Sequence, residues 1–140
     1  MEIIAWSERY DVGVEVLNEQ HKRLIKMVNS LIENKEDSGN RAALISDIIN
    51  QMAEYAAKHF KSEEELMNKY NYPGYAMQQK QHATFRIKIG DISNKFASYG
   101  DDIPEEDVNK IISYLLEWLM DHILTSDMQY KTFFNEKGVY

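Results

Sequence analysis

Cysteine is absent from the 140 residues, which excludes disulfides, thiolate catalysis and cysteine-ligated zinc or iron–sulfur centres. Proline occurs twice and glycine six times, a scarcity that suits long unbroken elements. No apolar run approaches the roughly 20 residues that a membrane helix needs. The opening MEIIAWSERY lacks the basic start and apolar core of a secretory leader. Positive charge is in deficit: 16 Lys and Arg against 23 Asp and Glu leave a formal charge of −7, which weighs against a nucleic-acid surface. These absences lead to the expectation of a cytoplasmic protein that engages neither a membrane nor a nucleic acid.

What is present is helical periodicity. Residues 1–16 carry none and read as an extended arm. Asn18 is placed to cap a first helix, on which Leu17, His21, Leu24, Val28 and Leu31 recur at three-and-four spacing. After a loop at residues 36–40, a second helix sets Ile45, Ile48, Met52, Tyr55, His59, Glu63, Leu66 and Tyr70 on one face. The Pro-Gly of NYPGY, residues 71–75, ends it. A third helix carries Tyr75, Gln78, His82, Phe85, Ile89, Ile92 and Phe96; its more polar, lysine-rich outer face is most simply solvated. Pro104 suits the first position of a fourth helix, and the acids around it suit a helix start. That helix bears Val108, Ile111, Leu115, Trp118 and His122 and is expected to reach about Tyr130. The spacing predicts an all-α fold, an antiparallel up-down-up-down four-helix bundle in a single domain, 1–140. The bundle occupies 17–131, behind the 1–16 arm and ahead of a 132–140 tail. Seven methionines suit a helical core.

The four histidines, His21, His59, His82 and His122, fall one per helix, each on the apolar stripe. One such histidine is ordinarily a hydrogen-bonded core residue; four of four is harder to explain by packing. With alternating helix directions and a constant rise per residue, all four come to the same end of the bundle. Glu63 lies one turn after His59 and points the same way. Asp127 is five residues after His122; at about 100° per residue it would face about 140° away on a straight helix. A local π-type widening would bring it round. The ordinary alternative for both acids is a solvated face. Buried together beside imidazoles, they call for cations, and mixed imidazole and carboxylate ligation suits iron, manganese or zinc.

From end to end the chain resembles the bacterial hemerythrins. The matching pieces are AWSERYDVGV, NEQHKRL, HFKSEEELM, YPGYAMQQKQHATF and LLEWLMDHILTSDMQY, followed by FFNEKGV. The resemblance implies a non-haem di-iron centre, two oxo- or hydroxo-bridged iron ions that bind O2 reversibly. His21 and His59 would hold the iron with the open position. His82 and His122 would hold the other, and Glu63 and Asp127 would bridge them. Leu24, Phe60, Trp118 and Ile123 would wall the O2 pocket, a role compatible with plain core packing. The departure is Gln78, where the family has the second iron's third histidine, and no fifth histidine exists to replace it. Gln78 could ligate through its side-chain oxygen, leave the position to water, or mark a degenerate bundle; retained di-metal binding is favoured. Three functions follow: an O2 carrier, store or sensor; an enzyme of peroxidase or oxidase type at an altered site, for which Tyr55 or Tyr114 would be the radical or proton source; or a metal store or structural bundle. The first reading would pair the chain with a redox or O2-using partner, which no residue identifies.

Overall fold

A computed structural model describes residues 2–36 and 41–140; the loop expected at 36–40 lies, beyond Glu36, outside the described residues. Four long helices form the bundle: α1 Glu15–Asn34, α2 Arg41–Lys69, α3 Tyr75–Tyr99 and α4 Glu105–Asp121. The chain then stays helical without a break, through a π-helical turn His122–Ser126 and a 3-10 turn Asp127–Gln129 into α5, Tyr130–Glu136. α1 packs between α2 and α4, and α3 packs on α2. No helix among the described residues is long and apolar enough to cross a membrane.

The stripes read from the sequence form the core. Leu17, Val28, Leu31, Ile45, Met52, Val108 and Leu115 are wholly buried, joined by Ile49 and Ile112, which the stripes did not include, each side chain contributing about 1.5–3 kcal/mol. Ile48, Tyr55, Ile111 and Trp118 sit half-buried at the edge of these faces. α2 ends where Asn71 takes a positive φ of 56°. The Tyr72 and Asn71 amides then donate to Met67 and Asn68 carbonyls at 2.9 and 3.3 Å. This is a Schellman turn with asparagine in the usual glycine place, and it lets α3 start at once beside α2.

Three boundaries differ from the sequence expectation. α1 begins at Glu15, with Val14 before it, so Asn18 lies inside the helix and does not cap it. Its side chain instead accepts from the Val12 amide at 2.9 Å and donates to Asp11 at 2.7 Å. The arm needs this anchor because it turns at Gly13, φ 80°, a conformation glycine adopts without strain, and thereby sends Val12 and Val14 into the core. Pro104 precedes the first residue of α4 and is not inside it. The segment expected as a tail is helical to Glu136 because Tyr130 and Phe134 have core to bury against. Asn135 then donates to the Gly13 carbonyl at 2.9 Å, tying the two ends of the chain together.

Candidate metal centre

α1 delivers His21 from its first half, α2 delivers His59 and Glu63 from its second, α3 delivers Gln78 and His82 from its first turns, and the π-helical turn delivers His122 and Asp127. All seven are buried, from 0 to 5% exposed. The widened turn resolves the phase problem of the last helix. The Asp127 amide donates back to the His122 carbonyl, a bond that spans five residues, so positions five apart share a face and the Asp127 carboxylate meets His122 Nε2 at 3.2 Å.

The donors form two overlapping groups. Ligand-type atoms of His21, His59, Glu63 and Asp127 lie within 4.8 Å of one another, as do those of Glu63, His82 and His122. Glu63 belongs to both. Its Oε1 faces His59 Nε2 at 3.0 Å and His82 Nε2 at 3.3 Å, and Asp127 Oδ2 faces His21 Nε2 at 3.1 Å.

Outer partners set the tautomers. His82 Nδ1 lies 2.8 Å from Glu64 Oε2, and His59 Nδ1 lies 2.7 Å from Gln20 Oε1. Both oxygens can only accept, so each Nδ1 carries the hydrogen and each neutral ring turns the lone pair of Nε2 inward. Those lone pairs meet carboxylate oxygens, and His82 Nε2 meets His122 Nε2 at 3.2 Å. Acceptors facing acceptors at such distances repel unless a proton or a metal cation lies between them. Buried atoms without any hydrogen-bond partner point to the same need: His21 Nε2, Glu63 Oε1 and Asp127 Oδ2. The residues therefore fit cations, and imidazole and carboxylate donors suit iron, manganese or zinc.

Without metal the cluster keeps protons. Burial alone would suppress the His21 imidazolium, but the nearby carboxylates of Asp127 and Glu63, 3.1 and 3.7 Å from Nε2, outweigh it and raise its pKa to about 9. The same balance raises His122, through Asp127 and Glu63. For His59 burial wins over Glu63, and its pKa is lowered. Glu63 is held well below the usual carboxylate range: burial opposes ionisation, but His59, His21 and His82 prevail.

Of the expected pocket residues, Leu24, Phe60 and Ile123 are core residues at 2, 2 and 0% exposure. Phe60 stacks on His82 with ring centroids 4.0 Å apart, and Trp118 stacks on His122 at 4.5 Å. Three neighbours of the site escaped the sequence reading: Gln20, which orients His59, together with Glu64 and Tyr130. Glu64 was not singled out, yet it orients His82. The tyrosine that reaches the site is Tyr130, whose wholly buried hydroxyl donates to Glu63 Oε2 at 2.7 Å. Tyr55 and Tyr114 are half-buried, with Arg23 over the first and Lys88 over the second. Tyr130 falls one turn beyond Ser126 and eight residues after His122, a spacing that the π turn obscures in the sequence.

A helical bundle that gathers imidazoles and carboxylates around two overlapping positions belongs to the cation-binding four-helix proteins. Comparison with known proteins makes this specific. Residues 12–134 match the model of the hemerythrin HHE cation-binding domain, and the chain belongs to that family. A bacteriohemerythrin of Stenotrophomonas maltophilia is 32% identical over 93% of this chain and 80% of its own length. One from Clostridium acetobutylicum is 24% identical over 91% of this chain and 98% of its own. The crystal structure of a wild-type hemerythrin superposes with a TM-score of 0.80 at 25% identity, covering 94% of this chain and 97% of the other.

Proposed function

We propose that the chain holds two iron ions side by side and binds O2 reversibly, as an oxygen carrier, store or sensor. The observation that supports this best is the sharing of Glu63 between the two donor groups, which suits a bridged pair. His21 and His59 would hold one ion and His82 and His122 the other, with Glu63 and Asp127 between them. When bound, such a pair supplies electrons that O2 takes up and gives back. The chain's own residues do the rest. Glu64 and Gln20 keep the Nε2 lone pairs of His82 and His59 turned inward. Tyr130 holds Glu63 through its hydroxyl. Leu24, Phe60, Trp118 and Ile123 provide an apolar wall that excludes water from bound O2. A cytoplasmic location, favoured by the cysteine-free composition, is part of the proposal.

Metal content per chain, with the visible spectrum of the reduced protein before and after air, tests it. Two irons and a reversible charge-transfer band are expected. Fewer than two irons, or a band that does not reverse on removing O2, overturns it. One observation favours a second reading, a redox enzyme acting on O2 or peroxide: Gln78 stands where the resemblance leads one to expect histidine. Steady turnover of peroxide with an electron donor, in place of a reversible band, would establish that reading.

A further inference from the structure

Gln78 is 2% exposed, and its amide has one committed end. Nε2 donates to Asp127 Oδ1 at 3.0 Å. The reverse orientation would set an amide oxygen against a carboxylate oxygen at that distance, so the amide cannot turn over. Oε1 is left buried without a partner, and an unmet acceptor in that position carries a penalty in free energy. Gln78 also lines a cleft of about 330 Å3 between the start of α3 and the π-helical turn, with Tyr72, Gly74, Met77, Gln81 and Ser126 among others. The polar wall beside it is already satisfied, since Ser126 Oγ donates to Gln81 Oε1 at 2.8 Å. Gln78 Oε1, buried behind this wall, is the acceptor that still calls for a donor.

We propose that this cleft is the entry to an exchangeable water site beside the second cation, and that Gln78 is a positioning residue for that water and for Asp127. The inference rests on the di-metal reading above. The second donor group has Glu63, His82 and His122, four protein donors once Asp127 bridges as proposed above, which still falls short of an octahedral set. A ligand completing it beside Gln78 must offer a lone pair to the cation and a hydrogen to Oε1, and water is the smallest molecule with both. The cleft is several times the roughly 30 Å3 that one water takes up in the liquid, so exchange with solvent has a path. With its amide nitrogen held on Asp127, Gln78 guides the ligand through a hydrogen bond to Oε1 and stays off the metal.

Water-proton relaxation of the manganese(II)-loaded chain reads this directly, with metal content measured on the same samples. Wild type and Gln78→Ala are expected to show the same number of exchanging waters. Gln78→His, whose imidazole takes the place, is expected to show one fewer. Met77→Trp, an exposed position 61% accessible at the cleft, is expected to keep the number and slow the exchange. If Gln78 itself ligates, Gln78→Ala gains a water over wild type, and that result overturns the inference. Exchange in Met77→Trp as fast as in wild type removes the cleft as the route and also overturns it. Should Gln78→His fail to fold, the Gln78→Ala and Met77→Trp comparisons still decide. Fewer than two manganese ions per chain would instead overturn the di-metal reading, and the water site would fall with it.

Discussion

The proton that His21 holds in the metal-free chain should make stability fall on the alkaline side. His21 is wholly buried, and its pKa rises from 6.5 in the unfolded chain to about 9 in the fold. A group raised in this way contributes stability that is complete below its unfolded value and is lost as pH climbs through its folded value. At about 1.4 kcal/mol per pH unit, the loss between pH 6.5 and 9 is about 3 kcal/mol. His122, raised by the same carboxylates, adds to the fall on that side. His59, lowered by burial, works on the other side: the unfolded chain binds its proton below 6.5 and the fold does not, so stability drops towards acid. Glu63, held low, adds to the acid loss. The chelated protein should therefore be most stable near pH 6.5. Urea denaturation of the chelator-treated chain at a series of pH values measures this. Metal ligation requires neutral imidazole, so the metal-loaded chain should lack the alkaline slope, and loading at pH 7 should release a proton detectable in weakly buffered solution. A flat profile from pH 6.5 to 9 in the chelated protein would refute the reasoning.

Other perturbations separate the neighbours of the site from its donors. Tyr130→Phe removes a buried hydrogen bond to an ionised carboxylate and should cost about 1–3 kcal/mol of metal-free stability, seen as a lower urea midpoint at unchanged slope. Glu64→Gln removes the charge on His82 Nδ1. Metal affinity in competition with a chelator should fall about 10- to 100-fold, while thermal unfolding of the metal-free chain barely moves. Phe60→Ala deletes a ring that is 2% exposed and stacked on His82. A loss of about 3–5 kcal/mol is expected, with metal affinity falling as well because His82 loses its support; stability loss alone would show that the stacking does not orient the imidazole.

Much of the candidate site was legible before any coordinates. Histidine is common in cores singly, but one on the apolar stripe of each of four helices, at depths that coincide when the directions alternate, leaves little room for chance. Asp127 tested that reading most sharply. On an ideal helix it points away from His122; a turn that bonds across five residues brings it in, and the sequence could frame that only as a condition. Glu64 was not legible, since a run of three glutamates carries no sign of which one lies under a histidine on another helix. Tyr130 was hidden for a related reason, because the π turn shifts the phase of everything after it.

The sequence by itself determined the bundle, because a stripe period of 3.6 residues interrupted by loop signals has few other ways to bury itself. It also pointed to five inward donors, His21, His59, Glu63, His82 and His122, because their spacing along each helix is local, while Asp127 depended on the π-helical turn. Only the tertiary structure decided where the arm anchors, which polar groups orient His59 and His82, and that the Gln78 amide donates to Asp127. Those are contacts between residues up to 49 positions apart. Their geometry depends on how the helices dock, and local periodicity carries no record of it.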